Sequence, residues 1–345
     1  MSQLTLILPG LIELLDHKFA RNASDFSPAQ SKLLGQGACT FVPGQRVEDL
    51  LAQALSPDTL HLPWGNARWK TEALNIDLPP GAGWMCLDPV HVRVGRQAVS
   101  AMPVEADVCS LDTAQALAAI VAPAFEPWGS VHVASPARWY LRLSAPADSN
   151  FLPLPTNRPS VLSDFLPSGA SARPWVKAFS DAQIYLAQSP LPAETGQRSG
   201  MPISAVWPWG GPGLDRQYAA PAPYCATQDA LFAALFEECG LNCEKIATFK
   251  DLPLNTPAQW IWLKPDLQAE RLSLSLAELE EKWFKPLYRA LWKGRYQHIQ
   301  ILLPGPDWGG VLKIQRQDVF KLWRQPLHWT AFCQQGAAFL ASSLG

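Results

Sequence analysis

The sequence predicts an α/β protein with a mostly parallel sheet that is covered by helices on both faces. Short apolar runs typical of buried strands alternate along the chain with segments whose apolar residues recur at helical spacing. This alternation is typical of β–α–β units, which place their strands in parallel. The 345 residues are 48% hydrophobic and 17% charged, which is enough apolar material for a large core. We therefore expect one large unit over residues 1–345.

The elements follow from these periodicities. Strands are predicted at residues 3–8, 205–209, 259–263 and 298–303, a strand pair or a strand after a turn at 84–94, and hairpin arms at 131–133 and 139–143. Helices are predicted at residues 47–55, 112–121 with Asp112 as cap, 175–186, 229–239 with Thr227 as cap and Gly240 as stop, and 275–292 as one long amphipathic helix.

Residues 144–172 are rich in proline, serine and alanine and form the longest predicted connection. Such a stretch marks the best candidate boundary between lobes, because long connections without periodicity join compact parts of a chain. The 32 prolines also imply many loops and short elements. We therefore expect a loop-rich inserted or second lobe beside the α/β core.

Charge, cysteine count and hydropathy exclude several classes of protein. A net charge of −2 and a pI near 6.3 do not favour binding to nucleic acid or to an anionic membrane. The seven cysteines include no CxxC pair, which favours free thiols in a reducing compartment over a zinc site. The first residues lack the pattern of a signal peptide, and no apolar run approaches the roughly 18 residues of a membrane span. The sequence thus predicts a cytoplasmic protein.

Asp88, His91 and Arg93 form the densest polar cluster in the sequence. Asp88 and His91 would suit a shared metal, and His91 and Arg93 would share one face of a strand and suit an anion. The structural interpretation, which we favour, is that Asp88 caps an Asp-Pro turn and Arg93 pairs with a carboxylate. No HxH, HExxH or GxSxG motif occurs. We therefore predict neither a metal nor another cofactor.

Gly210 and Gly211 follow the strand predicted at 205–209 and open a glycine loop with Pro212 and Gly213. The loop lacks the Lys-Ser/Thr pair and the GxGxxG spacing of phosphate-binding loops, and its proline removes one amide donor. We interpret it as a tight turn with close backbone approach. The alternative is a phosphate-binding loop, in which Gly210 and Gly211 would be ligand-binding residues.

Four segments together resemble a known family. They are WMCLDPVHVR at 84–93, MPISAVWPWGGPG at 201–213, the helix at 229–240, and the stretch from LEEKWFKPLYRALW at 279–292 to DVFKLWR at 318–324. In this order they resemble the bacterial regulatory proteins of RpfE type. That family is similar to the archaeal-type cofactor-independent phosphoglycerate mutases of the alkaline-phosphatase superfamily. The resemblance implies an alkaline-phosphatase-like core.

The resemblance also implies where catalysis would occur, and this chain departs from the pattern there. The active mutases hold two divalent metals with Asp and His at strand ends and transfer phosphate through Ser or Thr. Their first strand ends in Asp-Gly, where this chain has Pro9-Gly10. Their late Asp-His motif falls at Pro304-Gly305-Pro306, with Asp307 as a remnant. Ser204 stands near the place of an expected Asn.

We therefore predict a non-catalytic relative of these mutases with a regulatory role, or one that binds a ligand or partner. Its ligand would lie in a groove lined by Trp207, Trp209, Trp308 and residues 88–93, because aromatic side chains with few polar groups suit a small molecule or peptide. Two alternatives stay open. One is a metal-dependent phosphomutase or phosphohydrolase in which Asp88, His91, Arg93 and Asp307 converge on a phosphorylated or acidic metabolite. The other is a scaffold that engages a protein through exposed tryptophans and the stretch 144–172.

Overall fold

The computed structural model describes residues 2–18, 28–55, 62–72, 83–96, 98–147, 149–153, 160–212, 217–264 and 272–343. Its strands are β1 (Gln3–Ile7), β2 (Ala38–Pro43), β3 (Gly83–Val94), β4 (Val99–Pro103), β5 (Gly129–Ser135), β6 (Arg138–Leu143), β7 (Ser160–Val161), β8 (Ala205–Trp209), β9 (Tyr224–Thr227), β10 (Glu244–Lys245), β11 (Ala258–Trp262), β12 (His298–Leu303) and β13 (Trp308–Gln315). Its α-helices are α1 (Leu11–Lys18), α2 (Pro28–Gln36), α3 (Val47–Leu55), α4 (Trp64–Thr71), α5 (Leu111–Phe125), α6 (Ala172–Ala187), α7 (Leu191–Ser199), α8 (Ala230–Glu238), α9 (Leu272–Leu279), α10 (Lys285–Trp292) and α11 (Trp329–Ser343).

The chain divides into two compact units. Unit 1 contains Met1–Pro57, Ala219–Glu237 and Leu241–Gly345, and unit 2 contains Asp58–Tyr218 and Glu238–Gly240. The chain therefore leaves unit 1 after Pro57 and returns to it at Ala219. The proline- and serine-rich stretch 144–172 lies within unit 2.

Unit 1 is built on a seven-stranded sheet in the order β10-β9-β11-β1-β12-β13-β2, as far as the described residues show. The strands from β10 to β12 are parallel, whereas β13 pairs antiparallel with both β12 and β2. The prediction of a mostly parallel sheet is confirmed for this unit. Because β11 and β12 both run parallel to β1, the carboxyl ends of the three strands meet at one edge.

Helices cover both faces of this sheet, as predicted. On one face, Leu4 and Leu6 of β1 pack in a core cluster with Leu287 of α10 and residues of α1 and α2. On the other, Phe232 of α8 stacks on Trp262 of β11 with ring centroids 4.0 Å apart. Successive residues of a strand point to opposite faces, so an almost continuous apolar run suits a sheet that is buried on both sides.

Unit 2 has an antiparallel sheet in the order β5-β6-β3-β4-β7, with β8 paired to β3. The predicted hairpin at 131–133 and 139–143 is confirmed as β5 and β6. The predicted mostly parallel order does not extend to this sheet. Antiparallel strands can be joined by short connections, and the hairpin pattern was the one feature of the sequence that indicated antiparallel pairing.

The strand predicted at 84–94 is present, but it is neither a pair nor preceded by a turn at Asp88-Pro89, because β3 is one continuous strand of twelve residues. Pro89 is tolerated within it because β3 changes neighbour at this point. Cys86 is the last β3 residue paired with β6, and Val90 is the first paired with β4. The proline, which has no N–H to donate, falls between these two ladders.

Two predicted helix caps are wrong by a few residues. Ser110, not Asp112, caps α5, because its Oγ accepts from Thr113 N (3.1 Å). Asp229, not Thr227, caps α8, because its Oδ1 accepts from Leu231 N (3.0 Å). Serine and aspartate are both residue types that are favoured at the N-cap of a helix.

The helix predicted over 275–292 is interrupted. Between α9 and α10 lies a π-helical turn, Glu280–Phe284. Pro286 follows in the first turn of α10 and removes one backbone donor, which a wider turn accommodates. Glu280 is buried in this turn, and its carboxylate accepts hydrogen bonds from Ala29 N (2.7 Å) and Gln30 N (3.1 Å) at the start of α2.

Within the described part of the chain, no helix combines the length and the apolar composition needed to cross a membrane.

Candidate ligand-binding site

The carboxyl ends of the parallel strands in unit 1 are the expected place for a site, since ligands of open α/β sheets bind there. Leu8 follows β1 and donates its N–H to Leu302 O (3.0 Å). Pro9-Gly10 comes next, and Pro304-Gly305 follows β12. The strand ends beside the centre of the sheet therefore present proline and glycine, which carry no side-chain ligand or nucleophile.

One ion pair lies at this edge, beyond β9 and β11. Lys264 Nζ is 3.2 Å from Asp229 Oδ2, and Asp229 also caps α8. A pocket of about 190 Å³ adjoins it and is lined by polar side chains that include Gln228, Glu278 and Lys282. Because the Asp229 carboxylate already serves the helix and the lysine, it is held in a structural role.

A larger groove opens between α3 and the sheet, at the end of β12. We call it the α3 groove. Its volume is about 310 Å³, at the low end of the roughly 300–1,000 Å³ typical of small-molecule sites. The described residues that line it are Val42, Gln45, Leu50, Gln53, Ala54, Trp260, Leu302, Leu303, Pro304, Gly309, Gly310 and Val311.

The rim of the α3 groove is fixed by backbone hydrogen bonds and by an ion pair. Gly44 N donates to Asp307 O and Gln45 N donates to Gly305 O, both at 3.0 Å, so the loop before α3 is tied to the loop after β12. Arg46 then binds Asp49 in the first turn of α3 through two contacts of 2.7 Å. These contacts hold α3 over the part of the sheet that lies beside the end of β12.

Two amide side chains provide the polar chemistry of the α3 groove. Gln45 Nε2 donates to Gln53 Oε1 at 2.9 Å. The pair still offers an acceptor, Gln45 Oε1, and a donor, Gln53 Nε2, to a bound molecule. None of the twelve lining residues has an ionisable or nucleophilic side chain. The groove can therefore recognise an apolar molecule with one or two hydrogen-bonding groups.

Glycine shapes the floor of this groove. A Cβ on Gly309 would lie 3.1 Å from Leu303 O and 3.2 Å from Val42 Cγ2, so a side chain there would crowd the floor. Glycine inside a strand often marks a close approach of backbone or ligand. The Gly309-Gly310 pair was the one sequence signal that could have located the groove.

The structure places Asp88 in a largely buried cluster in unit 2, without the turn that the sequence suggested. Arg68 Nη1 and Trp209 Nε1 donate to the same oxygen, Asp88 Oδ2, at 3.0 and 2.8 Å. The Arg68 guanidinium also lies over the Trp209 ring, 4.8 Å from its centroid. Asp88 Oδ1 is buried and has no hydrogen-bond partner among the described residues.

Electrostatics reinforce this cluster. Burial lowers the pKa of Arg68, but the Asp88 carboxylate and the adjacent Cys86 outweigh it and raise that pKa well above its ordinary value. Arg68 Nη1 lies 3.4 Å from Cys86 Sγ, yet burial raises the pKa of this thiol to about 12. Arg68 is therefore a permanent cation, and Cys86 is a neutral thiol with little nucleophilic character.

His91 and Arg93 occupy different environments although both belong to β3. His91 is buried, and its Nδ1 lies 2.8 Å from Pro202 O, so this nitrogen carries the proton and donates it. Arg93 is exposed near the end of the strand, without a carboxylate partner among the described residues. Ser204 binds β3 instead of a ligand, because its Oγ accepts from Val92 N (2.8 Å).

The two tryptophans of β8 and the glycines that follow are engaged in packing. Trp207 is buried, donates to Leu152 O (2.8 Å) and contacts Phe179. A Cβ on Gly210, which has a φ of +65°, would lie 2.7 Å from Trp64 Cβ. A Cβ on Gly211 would lie 2.6 Å from Met85 Cε. These glycines thus allow the close approach that the tight-turn interpretation describes.

Asp307 and Trp308 belong to unit 1, whereas the other candidates from the sequence belong to unit 2. The Asp307 side chain is exposed, and its carbonyl supports the rim of the α3 groove. Trp308 is buried against Phe41 and Phe332, with ring centroids 5.7 and 5.9 Å away. It points away from the α3 groove, which its neighbour Gly309 lines.

Across the described ranges, no group of three or more His, Cys, Asp or Glu side chains is arranged to hold a metal ion.

Fold and groove together define an α/β protein of two units with a ligand-sized groove in the first. Its structure is similar to that of the cofactor-independent phosphoglycerate mutase from Thermoplasma acidophilum DSM 1728, with a TM-score of 0.47, 11% identity and coverage of 100% of both chains. It is also similar to the PH0037 protein from Pyrococcus horikoshii, with a TM-score of 0.41, 12% identity and coverage of 99% of this chain and 96% of that one. No protein-family model and no curated protein matches the sequence.

Proposed function

We propose that this chain is a non-catalytic, phosphoglycerate-mutase-like protein that binds an uncharged, largely apolar small molecule in the α3 groove. A regulatory role of the kind implied by the resemblance to the RpfE-type proteins is in keeping with binding of this sort. The observation that carries the proposal is the lining of the groove. Its described residues combine apolar side chains with two glutamines and include no side chain that could act as an acid, a base or a nucleophile.

The neighbourhood of the groove supports the same proposal. Proline and glycine occupy the adjoining strand ends at Pro9-Gly10 and Pro304-Gly305. In unit 2, Asp88 Oδ2 is bound by both Arg68 Nη1 and Trp209 Nε1. Buried hydrogen bonds and ion pairs between side chains stabilise the fold, and breaking them to bind a substrate would lower the free energy of unfolding.

Uncharged apolar fluorophores provide a direct test of binding. We expect phenylnaphthylamine to bind the native chain saturably, with a rise in fluorescence because it enters an apolar site. Ala54→Phe places an aromatic ring in the α3 groove, since Ala54 lines it from the helix. This variant should weaken binding by about tenfold or more, as expected when a small apolar site is filled.

The matched control is Ala119→Phe, the same substitution at an exposed position of α5 in unit 2. It should bind the fluorophore as the native chain does. Equal binding by the Ala54→Phe protein, with circular dichroism showing that it is folded, would place the binding site elsewhere and refute the proposal.

A further inference from the structure

Two large apolar side chains stand exposed at the tip of a turn in unit 1. Leu322 is 71% exposed and Trp323 is 77% exposed. Turns at a protein surface are normally made of glycine, proline, asparagine, aspartate or serine. A leucine and a tryptophan in this position leave a substantial apolar area in water, which is typical of a contact surface.

This turn is held firmly in place by its surroundings. Lys321 N donates to Asp318 O (3.0 Å), and Lys321 Nζ pairs with Asp318 Oδ1 (2.6 Å). Arg324 Nη1 reaches the carbonyls of Gln36 and Gly37, 3.5 and 3.4 Å away, at the end of α2. A surface that is ordered before it binds loses little conformational entropy on binding.

Two further aromatic side chains adjoin the turn. Trp292 at the end of α10 is 43% exposed and Phe320 is 46% exposed, and their rings meet edge to face with centroids 4.8 Å apart. Leu322 N donates to Phe320 O (2.9 Å), which links the turn to this pair. We call Trp292, Phe320, Leu322 and Trp323 the aromatic patch.

Basic residues accompany the aromatic patch. Residues 289–298 and 313–325 together contain seven Lys and Arg residues and one acidic residue, although the whole chain has a net charge of −2. The acidic residue, Asp318, is buried and paired with Lys321. Arg316 is fixed against Gly294, where a Cβ would lie 2.8 Å from its Cζ. These two segments therefore carry an excess of positive charge, of which the Asp318 carboxylate offsets one unit.

A pocket of about 480 Å³ borders the patch at Phe320. Its other lining residues are Gln297, His298, Gln315, Arg316 and Gln317. These side chains offer several hydrogen-bond donors and one fixed cation, which suits a carboxylate. His298 is the first residue of β12, so this pocket lies at the amino end of that strand, whereas the α3 groove lies at its carboxyl end.

We propose that the aromatic patch and its basic surroundings dock an acidic segment of a partner protein that carries an apolar anchor residue. Tryptophan and arginine dominate the binding energy of protein interfaces, and complementary charge steers the partner to the surface. The aliphatic Leu322 beside Trp323 suits an apolar side chain better than a stacked base. The docking surface is separate from the α3 groove and does not depend on a ligand there.

The test uses the full chain and labelled peptides in which a central leucine or phenylalanine is flanked by aspartate and glutamate. Fluorescence anisotropy should show binding of these peptides and little binding of peptides with the same anchor flanked by lysine and arginine. Trp323→Ala should weaken binding by about tenfold or more. Arg316→Glu should weaken binding and reduce its dependence on salt.

Leu254→Ala is the matched control, because Leu254 is an apolar residue of the same unit that is 73% exposed. It should leave peptide binding unchanged. The proposal is overturned if acidic and basic peptides bind equally or not at all, or if oligothymidylate binds where the acidic peptides do not. Self-association of the native chain that Trp323→Ala abolishes would also overturn it, because the occupant would then be a second copy.

Discussion

Replacing Arg68 with methionine is expected to destabilise unit 2 by about 3–5 kcal/mol, the range found when one partner of a buried ion pair is removed. The Arg68 and Asp88 side chains are only 13% and 15% exposed. Without the guanidinium, Asp88 Oδ2 would still accept a hydrogen bond from Trp209 Nε1. Asp88 Oδ1 would have no hydrogen-bond partner among the described residues, and no positive charge would balance the carboxylate. The measurement is the free energy of unfolding in urea, followed by far-ultraviolet circular dichroism.

Arg173→Met serves as control, since Arg173 lies exposed on α6 of the same unit. It should change the free energy of unfolding by less than about 0.5 kcal/mol. The double variant Arg68→Met, Asp88→Asn should regain much of the loss, because a neutral amide needs no charge partner and its oxygen can still accept from Trp209 Nε1. A loss below about 1 kcal/mol for Arg68→Met alone would show that the pair is effectively solvated.

Trp308→Ala is expected to lower the free energy of unfolding of unit 1 by about 3–5 kcal/mol, as for other large-to-small substitutions of buried aromatic residues. Trp308 is 1% exposed, and a Cβ on Gly336 would lie 2.4 Å from its ring. The residue therefore fills a space that α11 is shaped to match. Thermal and urea unfolding would both report the loss.

The same substitution at an exposed site, Trp323→Ala, gives the comparison. Trp323 is 77% exposed, so its removal should change stability by less than about 0.5 kcal/mol. If Trp308→Ala lowered the free energy of unfolding no more than Trp323→Ala does, Trp308 would not be a core residue. A role at a ligand surface, as the sequence suggested, would then regain support.

The sequence was most informative where the periodicity of apolar residues is strong. Strands β1, β8, β11 and β12 and helix α3 lie where the sequence predicts them. Burial of both faces of the unit 1 sheet explains this for β1, β11 and β12, because strands that are covered on both sides read as apolar runs. Less could be predicted for β3, since the neighbour change that tolerates Pro89 is a tertiary feature that no local pattern contains.

The site was harder to predict than the fold. Asp88 and Trp209 do come together, but around Arg68, a residue that no motif marked. The α3 groove is lined by residues from three separate stretches of the sequence with no polar signature apart from Gln45 and Gln53. Apolar sites leave little trace in a sequence, because their residue types are those of an ordinary core. The glycine pair at 309–310 is the one local pattern among the lining residues that indicates a close approach of backbone or ligand.

The central claim is that this protein binds without catalysing, and the most direct test is metal-dependent turnover. Purified protein should be assayed with Mg²⁺, Mn²⁺ or Zn²⁺ for hydrolysis of a generic phosphate ester and for interconversion of phosphoglycerate isomers. We expect rates equal to those without protein, for both the native chain and His91→Ala. Metal-dependent turnover that His91→Ala or Asp307→Ala abolishes would contradict it and establish an active site built from these residues.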